Sequence, residues 1–313
     1  MPEVVICAVA RTPVGRYRGA LSDRSAVELG IHVVKGLLAR AEIDPSSGVV
    51  DEVLFGQVLQ TGAGQAPARQ VALGAGMPFS TPATTINKVC GSALKAVMMA
   101  ANSIRAGEYS VIVAGGMESM SNCPYMLSRA REGLRMGNTE MVDSMLHDGL
   151  WCSLENWGMG LACEAVVERY KVSRKDQDAF AAASHQKAAR AIRECWFKDE
   201  ILPVEIPQRK GDPVRLEYDE SVRPEASAES LGKLRPAFKK DGGTVTAGNA
   251  PGVNDGAAAV VLMAAAKAQE LGLTPMARIV GQAVSGLAPK WLLMTPVQAV
   301  QKLLTKVGWS LDD

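Results

Sequence analysis

A chain of 313 residues with 21% charged side chains and a formal net charge of +1 carries no electrostatic footprint for nucleic acid or an anionic membrane. An anionic ligand must then be held by local basic groups and backbone N–H groups. The length points to about two domains. Aromatics are scarce at 5% while glycines number 30, a balance that suits an α/β protein with helices packed tightly on a sheet.

In chain order, Val4 to Val9 reads as a β-strand, with no basic stretch or apolar helical run before it, so a secretory leader is not expected. Val27, Ile31, Val34, Leu37, Leu38 and Ala41 recur at helical spacing, and Asp44-Pro45 stops the helix. Asp51 to Val58 is the next predicted strand, Gln65 to Ala75 a helix and Thr84 to Val89 a strand. Cys90 is expected to open a helix that runs to about Ala106. Ser110 to Ala114 reads as a short apolar strand stopped by Gly115-Gly116. Strands alternating with helices predict a parallel or mixed, covered sheet.

From Ser119 to about Gly243 the texture changes, with prolines, charges and methionines accumulating around one clear amphipathic helix, Arg174 to Arg193. This stretch reads as an insertion on the sheet domain. Strand signals return at Thr244 to Thr246 and at Ala257 to Met263. The tail offers a strand (Ala277 to Val284) and a helix (Val297 to Val307), the order in which the chain begins. Two readings fit: the start of a second copy of the first domain, halted early, or an ordinary C-terminal β-α extension. No window approaches the roughly 18 apolar residues of a membrane span.

Six cysteines (Cys7, Cys90, Cys123, Cys152, Cys163 and Cys195) form no C-x-x-C pair, as expected of free thiols in a reducing cytoplasm. Cys90 alone sits between a predicted strand and a predicted helix, in Asn87-Lys88-Val89-Cys90-Gly91-Ser92. The helix is apolar nearly all round and should be buried. Its start would aim N–H groups and positive dipole charge at the sulfur, raising the thiolate fraction. A nucleophile at a strand–turn–helix corner is the geometry of nucleophile elbows. The competing reading is a small packing cysteine, and it holds for the other five. His32, His147 and His185 read as surface or partly buried side chains, and no grouping has metal-ligand spacing. Neither Gly-rich stretch, Gly115-Gly116 or Ala247 to Ala257, matches a phosphate loop or a dinucleotide fingerprint.

Taken together, these segments resemble the thiolase family. Ala10-Arg11-Thr12-Pro13-Val14-Gly15, the Cys90 segment, Ala114 to Met120, Lys233 to Phe238, Thr244 to Asn249 and Asn254 to Ala258 occur in the family's order and cover the whole chain. The resemblance implies a layered α-β-α-β-α fold of two similar halves. Residues 1–118 and 246–273 would form the N-terminal domain, 119–245 an inserted loop domain that binds CoA, and 274–313 the incomplete start of a C-terminal domain. It further implies that Cys90 carries an acyl group in ping-pong transfer between acyl-CoA molecules. The reaction would be either 3-ketoacyl-CoA thiolysis or Claisen condensation of acetyl-CoA. Arg223 would lie near the CoA nucleotide end, with Met159, Phe238 and Ala247 along the pantetheine and acyl tunnel. CoA thioesters are then substrates, no separate cofactor is expected, and a complete chain would be a homodimer or homotetramer.

The departures from the family pattern are specific. Gly158 stands where short-chain members carry a histidine, Pro251 replaces a serine, and Cys163-Glu164-Ala165 differs from the common Ala-Glu-Asn. The family's Asn-Glu-Ala-Phe segment, its Gly-His-Pro histidine and its second reactive cysteine have no counterpart before Asp313. Three readings follow: a truncated thiolase with negligible turnover alone, a CoA-binding or dimerising protein of thiolase descent, or a subunit completed by another chain.

Overall fold

A computed structural model describes residues 2–313 and divides the chain into two compact units. The first takes the chain up to Gly149, Lys198–Glu220 and Val253–Ile279; the second takes Leu150–Phe197, Ser221–Gly252 and Val280–Asp313.

In the first unit, β1 (Val4–Arg11), α1 (Ala26–Arg40), β2 (Glu52–Gly56), α2 (Pro67–Gly74), β3 (Ala83–Ile86), α3 (Ser92–Ala106), β4 (Val111–Ser119), β5 (Asn254–Ala264) and β6 (Ala277–Arg278) build a mixed α/β domain. The strands lie in the order β6-β1-β5-β4-β2-β3, with Gly15–Arg16 pairing on β5 as the seventh strand. β1 pairs antiparallel with both β5 and β6, and β4 antiparallel with β5, whereas β2 pairs parallel with both β3 and β4. The sheet is mixed because hairpin-free crossovers through α2 and α3 return the chain in the same direction, while β5 arrives from far along the sequence.

The period-2 alternation of the strands sorts their side chains between two cores. Val53, Phe55, Val111 and Val113 face α1 and α2, where Leu29, Val33, Val34, Leu37 and Val71 are buried. Leu54, Ile112, Ala114 and Leu262 face α3, whose Ala96, Ala100, Ala101 and Ile104 are likewise buried. The helix is thus buried along one stripe, and Leu94 on its other side is two-thirds exposed.

α1 begins with a capping box. Ser25 Oγ accepts the Glu28 N–H at 3.2 Å and the Glu28 carboxylate accepts the Ser25 N–H at 2.8 Å. The hydrogen bonds from Ser25 hold the Glu28 carboxyl below its ordinary value. Ser25→Ala is expected to lower stability by about 1 kcal/mol. Because the folded-state value of Glu28 is depressed, its contribution is full above about pH 4.3 and fades as pH falls through the lower folded value. Urea melts of both chains between pH 7 and pH 3 should therefore show a narrower gap at the acid end, and a constant gap would contradict this. There the bond from Ser25 Oγ to the Glu28 carboxylate is lost while the Oγ cap on the Glu28 N–H remains.

Several predicted strand limits move. β4 does not stop at Gly115-Gly116 but runs through them to Ser119, since a Cβ on Gly115 would lie 2.2 Å from Ala258 O of the paired strand. Glycine here permits close pairing rather than ending the strand. Thr244 to Thr246 is not a strand: the Glu164 carboxylate takes the Thr244 and Val245 N–H groups, both at 2.8 Å, that a ladder would have used. Of the predicted strand Ala277 to Val284 only β6 pairs, antiparallel to β1.

The second unit is mainly helical, with α4 (Met159–Tyr170), α5 (Arg174–Arg193) and α6 (Thr295–Val307). α5 has the predicted limits and is capped by Ser173, whose side chain accepts the Asp176 N–H. Arg174 pairs with buried Asp178 at 2.7 Å and donates to the carbonyls of Leu231 and Leu234 at 2.9 Å. α6 is amphipathic in sequence, and its apolar stripe is only half-buried, with Leu303 and Val307 lying against Gly281. Among the described residues no helix is long and apolar enough to cross a membrane.

Candidate active site

Gly56 and Gly116 are register partners on β2 and β4 and form a flat seat on the sheet. A Cβ on Gly56 would lie 2.6 Å from Ala93 N, and one on Gly116 would lie 2.7 Å from Ala93 Cβ. The first turn of α3 therefore rests directly on backbone.

The chain reaches this turn through a strained corner. β3 ends at Ile86, and Val89, a β-branched residue, adopts φ +49°. Local hydrogen bonds impose that conformation. The Val89 N–H donates to Asn87 Oδ1 at 2.9 Å, the Lys88 N–H donates to Ser92 Oγ at 2.8 Å, and Ser92 Oγ donates to Val89 O at 2.5 Å. Buried Ser92 thus ties both sides of the corner together. The next residue is Cys90, exposed and carried on the crest.

The helix starts at Ser92, not at Cys90, with Gly91 as its N-cap. The Gly91 and Ser92 N–H groups close the corner onto Lys88 O and Val89 O, at 3.2 and 3.0 Å. These two donors shape the turn and are not presented to a ligand.

Cys90 opens onto a cavity of about 310 Å³ whose other lining residues include Arg11, Thr12, Gln57, Val58, Met117 and Glu118. Arg11 is neutralised by Glu200 and Asp219, both at 2.7 Å. The Glu118 carboxylate accepts the Val58 and Leu59 N–H groups at 2.9 and 3.0 Å, and burial raises its affinity for a proton. None of the three histidines lines this cavity. His147 pairs with Asp148 at 2.7 Å, His185 meets the Arg223 N–H through Nδ1 at 3.2 Å, and His32 is half-buried.

The other cysteines differ from Cys90. Burial pushes the Cys7 and Cys163 thiols up, and burial together with nearby carboxylates pushes Cys123 up to about 12. Those sulfurs are held as thiols. Cys195 is exposed and lies just past the C-cap of α5, its N–H donating to Ile192 O. Among the described residues no group of three His, Cys, Asp or Glu side chains is placed to hold a metal.

In the second unit the structure brings together the segments of three predicted residues. Met159 is the first residue of α4, half-buried, and the Phe238 ring lies over its neighbour Gly160, where a Cβ would fall 2.1 Å from Cγ. The Ala237 N–H donates to Val245 O at 2.9 Å, and Glu164 of α4 anchors Thr244 and Val245, so the exposed Ala247 loop is tied to both. Asn249, held by Asp178 at 2.9 Å, in turn accepts the Thr246 N–H at 2.7 Å. Arg223 is exposed on a separate segment, against α5 through His185.

Sequence reasoning passed over Glu118 and Gln57. The available signal was positional: Glu118 falls two residues after Gly116 on a buried strand, hence on the same sheet face as the helix seat. Gln57 follows the apolar strand β2 and is 2% exposed, with its Nε2 donating to Leu59 O.

A mixed sheet bearing a cysteine at such a corner is the architecture expected of a thiol-dependent acyltransferase. The family model described as "Thiolase, N-terminal domain" matches residues 4–266, and the chain belongs to the thiolase family. Over 312 residues it is 52% identical to an acetyl-CoA acetyltransferase of Pseudomonas aeruginosa, covering 100% of this chain and 79% of that protein. Proteins of the same description from Cupriavidus necator (51% identical; 100% and 79% covered) and Allochromatium vinosum (52%; 99% and 78%) match similarly.

Proposed function

We propose that Cys90 carries the acyl group in thiolase-type transfer between acyl-CoA molecules. The Cys90 thiolate attacks the thioester carbonyl, a new Sγ–C bond forms, the C–S bond to CoA breaks, and CoA leaves as a thiolate that takes a proton from solvent. The observation that carries this reading is an exposed cysteine on a strained, hydrogen-bonded corner above a cavity, in a chain of this family. The relatives' descriptions as acetyl-CoA acetyltransferases support acetyl-CoA as one donor. Thiolysis of 3-ketoacyl-CoA and condensation of acetyl-CoA are the two directions of the same chemistry. CoA is substrate here, and no separate cofactor is proposed.

Arg223, Met159, Phe238 and Ala247 are proposed to hold CoA, the arginine at its phosphate or adenine end and the other three along the pantetheine and acyl chain. Convergence of the Met159, Phe238 and Ala247 segments within one unit supports the second assignment. The free state of all six cysteines supports a reducing, cytoplasmic setting. The homodimer or homotetramer that the family resemblance implies is part of the same proposal, and light scattering reads it directly.

No histidine lines the cavity, and its two charged residues, Arg11 and Glu118, are held by Glu200 and Asp219 and by the Val58 and Leu59 N–H groups. The 313-residue chain alone is therefore proposed to acylate once and then stall. Mixed with acetyl-CoA, it should release close to one CoA per chain. Absence of CoA release would favour a CoA-binding protein of thiolase descent. Release continuing over many turnovers would refute the stall.

A further inference from the structure

Glu118 is an acid on the face of β4 that also carries the helix seat at Gly116. It is half-buried and, among the described residues, has no ion pair. Its two oxygens are instead divided between adjacent backbone donors, Oε2 taking the Val58 N–H and Oε1 the Leu59 N–H. A carboxylate satisfies that pair with one oxygen for each donor. A glutamine offers one acceptor and would point its own NH₂ at the second N–H. Hydrogen bonds from both donors offset the cost of placing the acid there, so the side chain is held to the Val58–Leu59 backbone.

The backbone that Glu118 grips leads to the reactive corner in two steps. Val58 O accepts Asn87 Nδ2 at 3.3 Å, and Asn87 Oδ1 accepts the Val89 N–H at 2.9 Å. Val89 is the residue at φ +49° that precedes Cys90. Glu118, the Val58–Leu59 backbone, Asn87 and Val89 thus form one chain of contacts between β4 and the sulfur, and all lie in the same unit.

We infer that Glu118 is a positioning residue for Cys90, fixing the Val58–Leu59 backbone from which Asn87 holds the corner that aims the sulfur. The inference rests on the reading of Cys90 as acyl carrier. Its effect falls on reactions that require a defined line of attack. Acyl transfer from acetyl-CoA is one of these, whereas alkylation by iodoacetamide, a small reagent in free solution, tolerates many approaches.

The test measures both rates in the full chain, together with backbone amide exchange. Glu118→Gln should slow Cys90 acetylation by about tenfold to a hundredfold while leaving alkylation within about twofold. Asn87→Ala should give the same split, and the double variant should be no slower than the worse single one, because both act through one path. Glu118→Asp keeps both oxygens on a shorter arm and should recover part of the rate. Amide exchange in Glu118→Gln should rise at Val58, Leu59 and Val89 alone.

Equal loss in both reactions with exchange raised throughout the unit would mean a merely structural acid and would overturn the inference. So would unchanged acetylation in Glu118→Gln. Failure of the unmodified chain to acetylate would count against the acyl-carrier reading instead. The exchange pattern would then still decide whether Glu118 holds the corner, and unchanged protection at those three amides would overturn it.

Discussion

Replacement of Cys90 by alanine is expected to lower single-turnover CoA release from acetyl-CoA by about a thousandfold or more, because the atom that accepts the acyl group is gone. No other cysteine can substitute. Cys7, Cys123 and Cys163 are held protonated by their surroundings, and the Cys90 cavity is lined by no other thiol. Cys90 is exposed, and its side chain makes no hydrogen bond among the described residues, so the fold should tolerate the change to within about 0.5 kcal/mol. A Cys90→Ala chain that releases CoA at the original rate would remove the basis of the proposed chemistry. A chain that simply unfolds would show instead that the corner depends on the sulfur for its stability.

Gly56→Ala is expected to have the largest effect on the fold. The added Cβ would meet Ala93 N and Ser92 C at 2.6 Å and Ser92 Cβ at 2.7 Å. Two of these three atoms are backbone, and Ser92 is itself fixed by Lys88 and Val89, so the clash cannot be relieved by a rotamer change. Either α3 lifts from the sheet or β2 bends away from β4, and overpacking of this kind costs about 2–3 kcal/mol. The helix start and Cys90 move together, so acylation should fall by about a hundredfold in the fraction that stays folded. Urea melts and CoA release measure the two effects separately. Stability within about 0.5 kcal/mol of the parent would show that α3 does not rest on Gly56 as described.

Much of this domain was legible in the chain because local and tertiary preferences agree. α1 shows apolar spacing between a capping serine and Asp44-Pro45, and α5 has Ser173 before it, so both come out close to their expected limits. The errors fall where a distant partner decides. Gly115-Gly116 reads as a strand end, yet pairing with Ala258 and Ala259 carries the strand onward. Thr244 to Thr246 has strand-forming residues, but Glu164, 80 positions away, captures its N–H groups. Val280 to Val284 alternates like a strand and is left irregular, since strand pairing with β1 ends at Arg278.

The site divides in the same way. Cys90 was visible as a nucleophile at a corner because the strand, the turn and the helix are consecutive in sequence. The strain at Val89 was not visible, since valine is a poor residue for φ +49° and only Asn87 and Ser92 together impose it. Nor could spacing reveal Glu118, which reaches the corner across the sheet through a segment 60 residues earlier in the chain.

The central claim is that an acyl group passes from CoA to one particular sulfur. Incubating the chain with acetyl-CoA, digesting it and locating the added acetyl group by peptide mass spectrometry tests that claim most directly. The account predicts a single hydroxylamine-sensitive acetyl group on the peptide containing Cys90 and none on those containing Cys7, Cys123, Cys152, Cys163 or Cys195. Acetyl on another cysteine, or a chain that binds acetyl-CoA without becoming acetylated at any pH, would contradict it.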